Sequence, residues 1–328
     1  MRRRLAPLVA ASVALTLAAC GDGDDDGSGD ASVTTTVARA PAGEAPATGQ
    51  STTTTPRPER FEVETHEETY VDTSRPTDAN GDFAGAPDRT LRVVFHVPKG
   101  DGPFPVVVFS HGWIATPEVY LPVLTRLAEH GYLAVAPAYP LSNGAAPGGP
   151  ITRDVVNQPA DASFVLDQVI AASRDESHWL SGLVDEDRVA AGGHSLGGFT
   201  TLGFFNSCCT DDRVDAAFPV AGSMASFPGE WFEGTDTPIL LVHGDQDELV
   251  PYSRSADAYA QANAPKYFLT LLGGKHADFA LNAEGRQFDI TMDVILAFLD
   301  GYLRDDTAAL EEIDELGNVA GVSTLVSA

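Results

Sequence analysis

Short apolar segments alternate with longer segments of helical spacing along most of this chain, and this alternation limits the possible folds more than any other feature. Apolar runs of four to eight residues are typical of buried strands, whereas apolar residues three or four positions apart are typical of helices. The predicted strands are 90–97, 105–109, 132–136, 188–192, 214–220, 239–242 and 267–271, and the predicted helices are 117–130, 159–173, 196–206, 252–262 and 286–303. Strands that are apolar throughout are buried on both faces, so we expect an α/β fold with a mostly parallel central sheet and helices on both faces. Functional groups of such sheets lie at the carboxyl ends of the strands.

The first 58 residues differ in composition from the rest of the chain. Three arginines precede an apolar stretch, 5–19, that is too short for a permanent membrane span but typical of a signal peptide. The residues Leu-Ala-Ala-Cys at 17–20 resemble a bacterial lipobox, so we expect Cys20 to be acylated; an ordinary signal peptide that happens to stop at a cysteine is the alternative. Residues 20–58 contain few large apolar side chains and cannot offset the entropy of folding, which predicts a disordered linker.

The predicted organisation therefore has four parts. Residues 1–19 are a lipoprotein signal peptide, 20–58 a lipid-anchored linker, 59–304 the α/β domain, and 305–328 a C-terminal helix followed by a less structured tail. The expected location is the cell envelope, with the protein exported and anchored at the outer face of the membrane.

The charge of the chain excludes one class of partner. Acidic residues number 47 and basic residues 20, which gives a formal net charge of −27. Nucleic-acid binding requires clustered Lys and Arg side chains, so we expect no nucleic-acid partner.

The two cysteines beyond the N-terminal segment, Cys208 and Cys209, are adjacent in sequence. In the oxidising environment outside the cell they could pair as a vicinal disulfide or remain free thiols. No histidine stands near them, so we expect no metal there.

The sequence Gly-His-Ser-Leu-Gly at 193–197 is the strongest indication of chemistry. It follows a predicted strand and opens a predicted helix, which is the context of a nucleophile elbow. Small flanking residues allow the sharp turn, which exposes the hydroxyl of Ser195 and places the amide of Leu196 at a helix N-terminus. Ser195 is therefore the candidate nucleophile.

A serine nucleophile needs a histidine base, and the base needs a carboxylate. When the nucleophile lies on such an elbow, the acid and then the histidine follow it in the chain. His276, the last histidine, comes after the last predicted strand, and Asp247 comes after the strand before it. Asp245 is the alternative acid, although it could instead cap the turn, and Asp278 is expected at the surface.

An oxyanion hole requires a second backbone N–H besides that of Leu196. The strand 105–109 is followed by Ser-His-Gly-Trp, and the amide of Trp113 is the candidate. His111 and His194 lie in the two loops concerned, and we expect them to support those loops by hydrogen bonding.

These motifs resemble those of the compact α/β-hydrolases. The resemblance rests on Pro-Phe-Pro-Val-Val-Val-Phe-Ser-His-Gly at 103–112, Gly-His-Ser-Leu-Gly-Gly at 193–198, Asp247 and His276, and it covers about residues 61–303. The sequence is most similar to dienelactone hydrolase-like esterases, chlorophyllase-like and platelet-activating-factor acetylhydrolase-like enzymes, and bacterial polyester cutinases. It differs from true dienelactone hydrolases, whose nucleophile is Cys, and from the polyester cutinases, which usually have Met where this chain has Leu196.

The resemblance implies a serine esterase without a cofactor or metal that acts on a small-molecule, lipid or polymer ester. A peptidase or an acyltransferase with the same triad is the alternative, and a catalytically retired binding protein is a third. Only about eighteen residues separate the strands at 214–220 and 239–242, so we expect no large cap and an open cleft. The candidate wall residues of this cleft are Trp113, Met224, Phe227, Trp231 and Phe232.

Overall fold

The computed structural model describes residues 60–224, 227–281 and 283–328. The predicted signal peptide 1–19, the lipidation site Cys20 and the whole of the linker 20–58 lie outside the described residues. Nothing in the structure therefore tests those predictions.

In the described part of the chain, nine strands form one sheet. Their order across the sheet is β1-β2-β4-β3-β5-β6-β7-β8-β9. The central strands β4, β3, β5, β6, β7 and β8 pair in parallel. Antiparallel strands flank them, β2 and β1 on one side and β9 on the other. The strands are β1 Val63–Asp72, β2 Arg89–Pro98, β3 Phe104–Ser110, β4 Leu133–Ala138, β5 Val184–His194, β6 Val214–Val220, β7 Ile239–Gly244, β8 Lys266–Leu271 and β9 Ser323–Ser327.

Helices cover both faces of this sheet. The α-helices are α1 Leu121–Glu129, α2 Gln158–Ser173, α3 Leu196–Gly203, α4 Ser253–Gln261, α5 Asp278–Leu281, α6 Arg286–Leu303 and α7 Thr307–Gly317, and two 3₁₀ helices span Pro117–Tyr120 and Arg153–Asn157. Successive residues of a strand point to opposite faces. In β3, Val107 and Phe109 join the core beneath α1 and α6, whereas Val106 and Val108 join the core beneath α2 and α4. The predicted fold class is confirmed.

The two ends of the sheet differ from the prediction. The tail after α7 was expected to be less structured, but its last residues form β9, which pairs antiparallel with β8 and aligns Leu325 with Leu269. Strand β1 also went unpredicted. Both are edge strands with polar or exposed residues, β1 having few buried positions and β9 only two, Ser323 and Leu325. Their apolar pattern is consequently too weak to indicate a strand from sequence alone.

The connection between β6 and β7 bears on access to the site. Its described residues, 221–224 and 227–238, contain no helix. The described part of this connection therefore places no helix over the carboxyl end of β5.

Candidate active site

The turn between β5 and α3 has the geometry of a nucleophile elbow. Ser195 adopts φ 58° and ψ −121°, a strained conformation for a residue with a side chain. The flanking glycines are required by close packing: a Cβ on Gly197 would lie 1.9 Å from the carbonyl oxygen of Ser110, and one on Gly193 would lie 2.4 Å from that of Gly197. The Ser195 amide donates to the Val220 carbonyl at 2.9 Å, which ties the elbow to β6.

The structure brings the three predicted triad residues together. The Oγ of Ser195 lies 2.8 Å from Nε2 of His276, and Nδ1 of His276 lies 2.6 Å from Oδ2 of Asp247. Asp247 follows β7 and His276 follows β8, so the two loops meet the elbow at the same edge of the sheet. This is the arrangement in which a neutral imidazole accepts a proton from a serine hydroxyl while a carboxylate holds its other nitrogen.

Hydrogen bonds hold Asp247 ionised in spite of its burial. Its Oδ1 accepts the amides of Leu249 and Val250 at 2.8 and 2.9 Å, and its Oδ2 accepts from His276. Burial alone would raise the pKa of Asp247, but the bonds from His276 and from the two amides outweigh it and lower the pKa below its ordinary value. The carboxylate therefore stays charged beside the imidazole.

The alternative acid occupies a different place. Asp245 accepts the amide of Gly273 at 2.7 Å and so joins the loop after β7 to the loop after β8. Asp278 is exposed at the start of α5. Of the three aspartates weighed from sequence, only Asp247 contacts the His276 ring.

A second histidine contacts Asp247, and the sequence analysis missed it. Nε2 of His243 lies 3.2 Å from Oδ2 of Asp247 and 2.9 Å from the Val250 carbonyl, while Nδ1 lies 2.7 Å from Oγ of Ser255. Burial lowers the pKa of His243, which favours a neutral ring that donates through Nε2 and accepts from Ser255. The position of His243 directly before the turn that carries Asp247 was the available indication.

The predicted oxyanion loop lies against the nucleophile. A Cβ on Gly112 would be 3.3 Å from Cβ of Ser195. The amides on either side of Trp113 are engaged, because Gly112 donates to Oη of Tyr120 at 3.1 Å and Ile114 donates to the Ser142 carbonyl at 2.9 Å. The Trp113 amide lies between them, and Leu196 is the first residue of α3, where amides have no acceptor within the helix.

His194 and His111 both hydrogen-bond within these loops. Nδ1 of His194 lies 2.8 Å from Oη of Tyr120, and its Nε2 lies 2.7 Å from the carbonyl of His276, so one ring joins the oxyanion loop to the base. His111 accepts the Tyr139 amide at Nε2 and donates to the Gly112 carbonyl. Burial lowers the pKa of His194 to about 3 and that of His111 to about 4, so both rings are neutral and serve as supports rather than as proton carriers at neutral pH.

A cleft of about 570 Å³ opens beside the elbow. Its walls come from the 3₁₀ helix Arg153–Asn157, from α3, from the segment after β6 and from the loop that follows Asp247. The residues that line it are Thr152, Arg153, Val155, Val156, Leu196, Phe199, Ser223, Met224, Leu249, Val250, Pro251 and Arg254. This size and mostly apolar lining are typical of small-molecule sites.

The predicted wall residues are only partly found there. Met224 lines the cleft, whereas Phe227 and Trp231 pack behind it, Phe227 in a small cluster with Val155 and Leu196. The prediction for Phe232 is wrong, because its side chain is 5% exposed and belongs to the main core. Trp113 is 48% exposed beside the elbow but does not line the cleft. The loop after the acid supplies a wall that the apolar pattern of the sequence did not indicate.

Cys208 and Cys209 form a vicinal disulfide, which decides between the two alternatives left open by the sequence. Cys209 packs against the small apolar cluster beside the cleft. Among the described residues, no group of three or more His, Cys, Asp or Glu side chains has the arrangement of a metal site, and no helix is long and apolar enough to cross a membrane.

Comparison with known proteins finds similarity to esterases over part of this chain. A family model described as chlorophyllase matches residues 65–208, a segment that contains the oxyanion loop and the elbow. Esterase YjfP of Escherichia coli (strain K12) is 27% identical over 198 residues, which are 49% of this chain and 76% of that protein. Chlorophyllase-1 of Arabidopsis thaliana is 30% identical over 131 residues, which are 40% of this chain but only 37% of that protein.

Proposed function

We propose that this chain is a serine esterase of the α/β-hydrolase fold that hydrolyses carboxylic esters through a triad of Ser195, His276 and Asp247, with an acyl-enzyme intermediate. The observation that carries the proposal is the continuous hydrogen-bond chain from Oγ of Ser195 through His276 to Asp247.

Acylation begins at the strained elbow. Oγ of Ser195 attacks the ester carbonyl carbon as Nε2 of His276 takes the hydroxyl proton, which forms a tetrahedral oxyanion and an imidazolium. The amides of Leu196 and Trp113 donate to the oxyanion, and fixed donors of this kind stabilise the developing charge without reorganisation. His276 then returns the proton to the leaving alcohol as the C–O bond breaks, which leaves the acyl group on Ser195.

Deacylation repeats these steps with water in place of the serine. His276 takes a proton from the water, the resulting hydroxide attacks the acyl carbonyl, and the second tetrahedral intermediate collapses to the free acid. The proton returns to Oγ of Ser195. Asp247 keeps Nδ1 of His276 protonated throughout, so that Nε2 is free to accept at each stage.

The surroundings of the triad support this assignment. His194 is neutral at neutral pH and donates to the backbone carbonyl of His276, which helps to hold the base in position. The cleft beside Leu196 is wide enough for a small organic ester and is mostly apolar.

The test compares 4-nitrophenyl esters with 4-nitroanilides of the same acyl groups, using wild type and Ser195→Ala. We expect ester hydrolysis by the wild type, covalent labelling of Ser195 by a fluorophosphonate, and a loss of kcat by about 10⁴-fold or more in the variant. Full activity of Ser195→Ala with correctly folded protein would refute the mechanism, and preferred cleavage of the anilides would favour a peptidase instead.

We also propose that the protein is an exported lipoprotein whose acylated Cys20 anchors it at the outer face of the membrane. The lipobox-like residues before Cys20 and the polar composition of 21–58 support this location. A polar segment of that length separates the anchor from the catalytic domain, so membrane attachment and ester hydrolysis should be separable.

A further inference from the structure

Two arginines line the cleft beside the elbow, and neither has a carboxylate partner among the residues that the structure describes. Arg153 is the first residue of the 3₁₀ helix Arg153–Asn157, and Arg254 is the second residue of α4. Both side chains are exposed and both contribute to the same cavity. Arg153 makes a long hydrogen bond, 3.4 Å, to the carbonyl of Ala79.

This lack of partners is unusual for the chain. With 47 acidic residues against 20 basic ones, a cation at the surface has many carboxylates within reach. Within the described residues, most cations do form ion pairs, namely Arg60, Arg75, Arg89, Arg92, Lys99, Arg126, Arg174, Arg188, Arg213 and Arg304. Lys266 donates to two backbone carbonyls instead. Besides Arg153 and Arg254, only Lys266, Lys275 and Arg286 in the described part of the chain lack an acidic partner.

Apart from Thr152 and Ser223, the rest of the cleft lining is apolar. Its lining includes the exposed side chains of Val156 and Leu249 together with Met224, Phe199 and Leu196. A ligand that fills this cleft would place a hydrocarbon chain along these side chains and its far end beside a guanidinium group. A guanidinium group binds a carboxylate with two parallel N–H···O bonds, which an uncharged group cannot match.

We propose that this cleft receives the half of the substrate that carries a carboxylate, so that the enzyme prefers esters with a negatively charged chain. The proposal rests on the proposed function, since the cleft is taken to be the substrate site of the Ser195 triad. The strongly acidic surface elsewhere repels anions, whereas Arg153 and Arg254 make the cleft locally favourable for them. An ester of this kind would be recognised by its hydrocarbon chain and by its charged end together.

The experiment measures the ratio of kcat/KM for a carboxylate ester to that for its neutral counterpart. On the acyl side the substrates are mono-4-nitrophenyl esters of straight-chain dicarboxylic acids with six, eight and ten carbons, each compared with its methyl-capped form. On the alcohol side they are butanoate esters of ω-hydroxyalkanoic acids, compared with the corresponding methyl esters. Wild type, Arg153→Gln, Arg254→Gln, the double variant and Arg286→Gln are assayed at low and at high salt.

We expect the double variant to lower the ratio by about tenfold for at least one series and each single variant to lower it by about threefold, as exposed charge pairs do. Arg286→Gln is the matched control and should leave the ratio unchanged. Arg286 is also exposed and has no acidic partner among the described residues, but it does not line the cleft. High salt should lower the wild-type ratio towards that of the double variant.

The outcomes separate this proposal from the proposed function. A ratio that is equal in wild type and double variant for both series overturns the carboxylate preference, while hydrolysis of the neutral esters leaves the Ser195 mechanism standing. If wild type hydrolyses neither the charged nor the neutral esters, the proposed function fails and this inference fails with it. A fall in activity on both substrate classes alike in the double variant also overturns it, because the arginines would then act on the fold of the cleft rather than on charge.

Discussion

Replacing Asp247 by Asn should nearly abolish ester hydrolysis, because every acceptor of this carboxylate is in use. Oδ1 accepts hydrogen bonds from the backbone N–H groups of Leu249 and Val250, and these groups can only donate. The Asn carbonyl oxygen will therefore take that side, and its NH₂ group will face the two ring nitrogens of His276 and His243.

The cost to catalysis follows from this orientation. His276 faces a donor in place of an acceptor, so its ring changes to the tautomer with the proton on Nε2, which cannot accept the Ser195 proton. Restoring the active tautomer costs about 2–3 kcal/mol, and the lost charged hydrogen bond to the imidazolium costs about 2–3 kcal/mol more. A total of about 4–6 kcal/mol corresponds to a fall in kcat of about 10³- to 10⁴-fold.

The same change should also lower stability. His243 is held between Ser255 and the Val250 carbonyl, so its Nε2–H cannot turn away from the new NH₂ group. Two donors that face each other inside the protein cost about 1–3 kcal/mol in the free energy of unfolding.

The assay is the kcat for 4-nitrophenyl butyrate, with urea denaturation measured on the same samples. Asp245→Asn is the matched control, because an Asn oxygen can still accept the Gly273 amide, and its kcat should stay within about twofold of wild type. The reasoning is refuted if Asp247→Asn keeps kcat within about tenfold of wild type, or if Asp245→Asn proves the more damaging of the two.

Two other expectations concern stability and location. Burial lowers the pKa of His194 to about 3 and of His111 to about 4, whereas both would protonate near pH 6.5 in the unfolded chain. Below pH 6.5 the unfolded state therefore binds more protons than the folded state. The free energy of unfolding should fall by about 1.4 kcal/mol per pH unit for each histidine as the pH drops from 6.5 towards 4. An unchanged urea midpoint between pH 7 and pH 5 would contradict this expectation. Cys20→Ser should move the protein from the membrane fraction to the soluble fraction with unchanged kcat on soluble esters, and a variant that still sediments with membranes would point to a different attachment.

The sequence by itself predicted the central strands of the sheet and the candidate nucleophile. Alternating apolar strands and helices predict a parallel α/β fold because burial on both faces leaves no polar positions in a central strand. The bounds of β6 and α6 follow directly from that pattern. Ser195 could be identified as the candidate because the elbow is a local structure, made by residues adjacent in the chain. Its glycines are required because a Cβ there would collide with the elbow itself or with the neighbouring strand β3.

Tertiary structure decided which residues distant in the chain come into contact. Asp245 and Asp247 are only two positions apart in the sequence. Only the folded structure shows that the side chain of Asp247 contacts the ring of His276, 29 positions further along the chain. The edge strands β1 and β9 are stabilised by pairing rather than by an apolar pattern of their own, so they went unpredicted. The cleft is lined by residues from separate loops, and apolar character alone could not tell Met224, which faces it, from Phe232, which is buried in the core. Hydrophobicity favours the burial of an apolar side chain. Only the packing of the folded chain determines whether that side chain is buried in the core or lines a ligand-binding cleft.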